Sequence, residues 1–286
     1  MIEDVTRELE SRYTCRLIRL TGGYTNLTFL MEGSEPLVAK VAGLQNHDTE
    51  NEVNCLEFLK ASAIAPIIHD VLEFSNERVL VMDYRPGVNG QSILDSGSLE
   101  RALVLYRSLA QLLATKIHTH ALGADPHGIR KSNAEQIRSL ELDLGFVPRH
   151  LVDQSKTILA ELDVNEQNWV LTHGDYGSHN ILIDDDNNLN VLDWEWAEWG
   201  HPLNDVGWVV WFTKLHYPQL ALVLNKAFVE EYIVHSALKS ISPHQLKSGN
   251  VYKVWNILSR LQNAPPNVQA EWIRRLEWTL DTDFSW

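Results

Sequence analysis

Residues 171–196 read LTHGDYGSHNILIDDDNNLNVLDWEW, the densest run of polar, potentially reactive side chains in the chain. At its centre, Asp186-Asn187 suits a tight hairpin turn, because both residue types tolerate positive φ. A two-residue turn there pairs Ile183 with Asn190, Ile181 with Leu192 and Asn180 with Asp193. Asn180 and Asp193 then meet at the open mouth of the hairpin, about 5 Å apart between Cα atoms. An amide oxygen beside a carboxylate is a pair of hard ligands suited to a Mg²⁺ that bridges phosphate groups. Five residues before Asn180, in a glycine-containing loop, stands Asp175. A carboxylate there can take the proton of a substrate hydroxyl while a metal holds the phosphates. An isolated loop aspartate is usually a turn or cap residue. One loop and one hairpin that present a base and two ligands together point to phosphoryl transfer.

Working outward, the two sides of this segment differ. Before it, residues 2–13 carry Val5, Leu9 and Tyr13 on one helical stripe. Strands are predicted at 17–20, 28–31, 37–41, 67–74 and 78–83, with a helix near 49–61. Arg85-Pro86-Gly87 breaks the pattern. Beyond it the spacing predicts helices over 99–119, 134–144, 150–162, 203–215, 218–238 and 250–262, with 169–193 as a β-rich exception. All ten tryptophans lie at position 169 or later. The expected fold is therefore α+β in two lobes. A nucleotide-binding lobe spans 1–85 (a small antiparallel sheet with one helix). A larger, mainly helical catalytic and substrate-binding lobe spans 86–286.

Composition excludes several classes. The 286 residues carry a net charge of −14, which argues against phosphate-neutralising contacts with nucleic acid. Two cysteines support neither a disulfide framework nor a cysteine zinc site. No apolar run reaches the ~20 residues of a membrane span. The acidic, amphipathic start lacks the pattern of a secretory leader, so a cytoplasmic protein is expected. There is no G-x-x-x-x-G-K-[ST] run, which excludes a P-loop NTPase. His118-x-His120 and His173…His179 lack the glutamate frame of a zinc protease.

His173-Gly174-Asp175, then Asn180, then Leu192-Asp193-Trp194 resembles the motif set of the aminoglycoside phosphotransferase family, part of the wider protein-kinase-like fold. The resemblance implies that Asp175 is the catalytic base, that Asn180 and Asp193 hold Mg²⁺, and that His173 positions the loop. Gly200-His201-Pro202-Leu203-Asn204-Asp205 looks like the family's G-x-P-x-x-D segment. Asp205 is expected to cap the next helix, and His118 resembles a structural histidine at the end of the family's long helix.

The nucleotide side fits the same resemblance. Gly22, Gly23 and Thr25 form a turn that lets backbone approach phosphate oxygens. Lys40, on an apolar strand, resembles the family's phosphate-binding lysine, and Glu52 is its expected partner on the next helix. The arginine usual before that glutamate is Asn51 here. Residues 79–84 look like the hinge strand, with backbone near Met82 and Tyr84 reading the nucleobase of ATP or GTP. For the acceptor, Glu195 and Glu198 suit ammonium groups, and Trp194 suits stacking. Asp281, Asp283 and Trp286 at the acidic, aromatic end are further candidates. Trp208 and Trp211 read as core. An aminoglycoside-type antibiotic is the leading hydroxyl-bearing acceptor. A kinase of a small metabolite (an amino alcohol, sugar or homoserine-like compound) is the alternative, and a nucleotide-binding pseudokinase is the non-enzymatic one. A protein kinase is disfavoured, because no A-P-E segment follows Asp193.

Overall fold

Strand alternation and helical stripes recur in the computed structural model, which describes residues 2–20, 27–43, 47–74, 77–123, 125–140 and 144–286. The elements run α1 (Ile2–Tyr13), β1 (Arg16–Arg19), β2 (Leu27–Glu32), β3 (Leu37–Gly43), α2 (His47–Leu59), β4 (Ile68–Phe74), β5 (Glu77–Asp83), β6 (Val88–Asn89) and α3 (Gly90–Asp95). There follow α4 (Leu99–Leu112), α5 (Ala134–Ser139), α6 (Arg149–Leu159), β7 (Val170–Thr172), β8 (Ile181–Ile183), β9 (Leu189–Val191) and β10 (Glu198–Gly200). The chain closes with α7 (Leu203–His216), α8 (Pro218–His235), α9 (Pro243–Arg260) and α10 (Pro266–Asp281). No helix among the described residues is long and apolar enough to cross a membrane.

Two compact units divide the chain. The first comprises Met1–Asn89, Pro126–Ile129 and Asn180–Ala197; the second comprises Gly90–Asp125, Arg130–His179 and Glu198–Trp286. In the first, an antiparallel sheet runs in the order β1-β2-β3-β5-β4. Period-two alternation decides its faces. Phe29, Met31, Ala39, Val41, Val79 and Val81 form one apolar core with Val5 and Leu9 of α1. Fully burying a side chain of this size is worth about 1.5–3 kcal/mol. The intervening positions, Thr28, Val38, Lys40 and Met82, line a cavity on the opposite face.

The second hairpin belongs to this unit, and its register corrects the expectation. Ile181 pairs with Val191, Leu182 with Asn190 and Ile183 with Leu189. Its loop has three residues, 185–187, not two. Asp184 and Asn188 still bond across it, Asp184 N–H to Asn188 O at 3.1 Å, and Asn187 takes the left-handed conformation at φ 64°. The Asp184 carboxylate favours the longer loop by accepting from the N–H groups of Asp186 (3.0 Å) and Asn188 (2.7 Å). Asn180 therefore sits opposite Leu192, whose N–H it accepts at 2.8 Å, and not opposite Asp193.

The second unit is mainly helical. The predicted long helix runs as α4 and then a π-helical turn, Leu113–Ile117, delivering His118 at its end. α7 is buried from Leu203 through Trp211. α9 crosses it at Gly207, where a Cβ would lie 2.9 Å from Asn250 Oδ1 and 3.2 Å from the Leu246 carbonyl oxygen. A side chain at 207 would force Asn250 and the Leu246 backbone to shift. α9 begins seven residues earlier than its spacing suggested, at a capping box formed by Ser242 and Gln245. α3 and α10 were not expected.

Candidate active site

Lys40 is the centre of a buried charge cluster in the first unit. Although an interior-strand lysine ordinarily faces solvent, this one is 6% exposed. Its Nζ lies 2.7 Å from Glu52 Oε2, 2.6 Å from Asp193 Oδ1 and 3.2 Å from Glu195 Oε2. Burial pulls its pKa down, but Glu52, Asp193 and Glu195 outweigh that and hold it well above the ordinary lysine value. Burial pushes Glu52 up, with Lys40 opposing and Asp193 adding to the rise. Three carboxylates thus surround one ammonium. Ligand oxygens of Glu52, Asp193 and Glu195 all lie within 4.8 Å of one another.

The local sequence explains how these groups meet. Glu52 sits in α2, which Asn51 ties down by donating to the carbonyls of Ala197 (2.7 Å) and Glu195 (3.3 Å). A buried amide thus clamps this end of α2. Asp193 leaves β9 in the left-handed conformation, φ 65°, a strained geometry for a non-glycine residue and one that clusters at functional sites. The following 3₁₀ turn, Trp194–Trp196, is pinned by the Trp194 indole N–H donating to the Val191 carbonyl at 2.9 Å. Glu195 rides on that turn. Its carboxylate engages Lys40. Trp194 is fully buried, so it offers no exposed stacking face.

Lys40, Glu52, Asn180 and Asp193 border a cavity of about 240 Å³, whose walls include Thr28, Val38, Met82, Asp83 and Tyr84. The backbone beside the last three is fixed: Asp83 N–H donates to the Ile67 carbonyl at 3.0 Å, and Ile67 N–H to Asp83 Oδ1 at 2.6 Å. Asp193 and Asn180 supply hard oxygen donors at one cavity, which fits Mg²⁺. Gly22, Gly23 and Thr25 lie outside the described residues.

The second unit builds its chemistry on the 173–177 loop. Asp205, three residues into α7 rather than at its cap, is fully buried. Its carboxylate accepts from the N–H groups of His173 (2.7 Å) and Gly174 (2.8 Å). It also lies 3.2 Å from His118 Nε2. A carboxylate only accepts, so Nε2 carries a proton, and Nδ1 shares a hydrogen bond with the Tyr232 hydroxyl at 2.7 Å. Gly174 takes φ 78°, and Asp175 N–H donates to His173 Nδ1 at 3.2 Å. His173 thus positions the loop.

Asp175 Oδ1 accepts from the Trp208 indole N–H at 2.7 Å, and Oδ2 lies 3.4 Å from His179 Nε2. Burial pushes the Asp175 carboxyl up. His179, Lys253 and the Trp208 bond outweigh burial and bring it down to about 2. The carboxylate is ionised throughout the physiological range. Trp208 is both core and site: it stacks on Trp211 at 4.4 Å and orients Asp175. The missed signal is spacing, since Asp205 and Trp208 are three apart and share one face of α7. Lys253 of α9 was also missed. Its Nζ stands 5.6 Å from the centre of the Trp208 ring.

The remaining acceptor candidates also belong to this unit. Glu198 is buried and accepts from the Tyr252 hydroxyl at 2.8 Å. Asp281 is exposed at the end of α10. Asp283 accepts from the Ser285 N–H and hydroxyl, and Trp286 is half-buried.

A profile of the phosphotransferase enzyme family matches residues 16–237. Among curated protein sequences none matches the chain. Solved structures are similar over nearly its whole length. The aminoglycoside phosphotransferase APH(4)-Ia is 17% identical with a TM-score of 0.74, covering 98% of each chain. The amicoumacin kinase hAmiN, in complex with AMP-PNP, Ca²⁺ and Ami, is 12% identical with a TM-score of 0.67, covering 100% of this chain and 98% of its own. Spectinomycin phosphotransferase APH(9)-Ia, in complex with ADP and spectinomycin, is 14% identical with a TM-score of 0.62, covering 98% and 95%. At such identities the likeness is one of fold, and that fold is kinase-like: a small antiparallel sheet followed by a larger helical portion.

Proposed function

The chain belongs to the phosphotransferase enzyme family, and from that premise we propose that it moves the γ-phosphoryl group of ATP or GTP to a hydroxyl of a small-molecule acceptor. The observation that carries this reading is Lys40 held between Glu52 and Asp193 at the wall of a cavity. Lys40 contacts the nucleotide phosphates as a point charge. Backbone beside Met82 and Tyr84 meets the nucleobase, and Gly22, Gly23 and Thr25 approach the phosphates. The neighbours that hold ADP or AMP-PNP support a nucleotide as donor. Asn180 and Asp193 are the residues that would hold Mg²⁺, which supplies charge neutralisation between phosphate oxygens when bound.

Asp175 takes the hydroxyl proton. The acceptor oxygen bonds to the γ-phosphorus, the bond to the leaving diphosphate breaks, and the proton passes to the carboxylate. A carboxyl held near 2 is a weak base. It accepts the proton only as the new P–O bond acidifies the hydroxyl, and before then it orients the nucleophile. In this reading 1–85 serves the nucleotide, and 86–286 supplies the base and the acceptor site.

The leading acceptor is an aminoglycoside-type amino sugar, supported by the family and by neighbours that act on antibiotics. A metabolite kinase is the alternative. The test is coupled ADP or GDP release over a panel of aminoglycosides, macrolides, amino alcohols and sugars, with Mg²⁺ and with EDTA. Metal-dependent release stimulated by at least one acceptor is expected. Tight nucleotide binding without turnover of any acceptor would instead favour a binding module.

A further inference from the structure

Lys253 is a cation inside an apolar stretch. Val251 to Leu258 of α9 is buried, and Lys253 itself is 5% exposed. Burying an ammonium is unfavourable unless other groups compensate. Its place follows from helix packing. α9 packs closely on α7 where Asn250 meets Gly207. Three residues on, Lys253 shares the face of Asn250, and its ammonium lies 5.6 Å from the ring of Trp208, the residue after Gly207. The same indole donates to Asp175 at 2.7 Å.

We infer that Lys253 is a positioning residue for Asp175: its charge holds the Trp208 ring and the carboxylate in one arrangement. The inference rests on the reading of Asp175 as the base. The attraction of a cation for an indole face and for a carboxylate both require the ammonium form.

The charged groups around Lys253 make this arrangement sensitive to pH. Burial lowers its pKa most. Asp175 on the loop and Glu198 on β10 favour the ammonium, whereas Arg260 on α9 and Arg130 before α5 oppose it. The result is a value of about 8, against 10.5 for an ordinary lysine. A group with a lowered lysine pKa loses its charge as pH rises through that value. Asp175, already ionised, does not titrate there.

The test is ¹⁵N NMR of protein labelled in tryptophan, with the Trp208 indole resonance assigned by Trp208→Phe. In the wild type this resonance is expected to move in one step with a midpoint near pH 8. The step is expected to vanish in Lys253→Met and to shift to lower pH in Asp175→Asn, which removes the nearest favourable charge. If Lys253→Met fails to fold, Lys253→Arg serves, because its step should leave the range below pH 10. In parallel, Lys253→Met should lower kcat by about tenfold with little change in nucleotide KM, and Lys253→Arg should restore most of it. A Trp208 resonance that is static from pH 6 to 10, or a step that survives the loss of Lys253, overturns the inference. The NMR arm needs no acceptor. A failure of the phosphotransfer reading therefore shows separately, as absent turnover beside an intact step.

Discussion

Replacing Asp205 with alanine should destabilise the second unit and its 173–177 loop together. The wild-type carboxylate accepts a buried backbone N–H bond at 2.7 Å, a partly buried one at 2.8 Å and a histidine bond at 3.2 Å. Each buried donor left without an acceptor costs about 1–3 kcal/mol. Three such losses, less the relief of no longer burying a charge, come to about 4 kcal/mol, a large part of a stability of ~5–15 kcal/mol. The difference should depend on pH in a defined direction. Burial raises the Asp205 carboxyl, but the hydrogen bonds it accepts from His118 and from the His173 backbone N–H bring it below its ordinary value. A carboxyl lowered on folding stabilises above its unfolded pKa of about 3.9 and loses that stabilisation as pH falls further. Urea unfolding followed by tryptophan fluorescence suits the measurement, since only Trp194 and Trp196 of the ten tryptophans lie outside the second unit. The full loss is expected at pH 7, with the gap narrowing below pH 4. An Asp205→Ala stability within about 1 kcal/mol of wild type would refute the view that this carboxylate holds the loop.

Further outcomes follow from the other contacts. Trp208→Phe keeps the ring and removes the donor to Asp175; the charge-assisted bond is worth about 1.5–3 kcal/mol, so kcat should fall roughly tenfold or more with nucleotide KM unchanged. The same variant should raise the acid limb of the pH–rate profile, because one of the groups holding Asp175 near 2 is gone. Lys40→Met leaves three carboxylates whose ligand oxygens lie within 4.8 Å, a repulsion of about 3 kcal/mol per ionised pair at an effective dielectric of 20. Turnover should fall more than about 100-fold. Thermal stability of that variant should be higher at pH 6 than at pH 8, because a carboxyl whose folded pKa is raised loses stability as it ionises. Asp193→Asn should weaken Mg²⁺-dependent nucleotide binding, read by calorimetry with and without the metal, while metal-free binding changes little.

Much of the fold and the motif residues were legible because they follow local rules. Alternation at 28–41 and 78–83 and the stripe at 2–13 specify strands and a helix wherever they sit. Loop 185–187 was read one residue too short because Asp184 bonds its own backbone, and one residue of slip changed every cross-strand partner. α10, beyond the last predicted helix, opens at Pro266, where proline in the first turn starts a helix well. Lys253 and Glu195 were illegible for another reason. A lysine in an apolar helix and a glutamate between tryptophans carry no local signal of the charges they meet. Trp208 shows that core and site are not alternatives: a buried indole still has one N–H to place.

The central claim is that Asp175 accepts the acceptor's proton during phosphoryl transfer. Its most direct test is Asp175→Asn, assayed by ³¹P NMR of the phosphorylated acceptor alongside calorimetric nucleotide affinity. The account predicts a fall in kcat of about 10²–10⁴-fold, the range of general base catalysis, with nucleotide Kd within about threefold of wild type. Transfer at the wild-type rate by Asp175→Asn would contradict it.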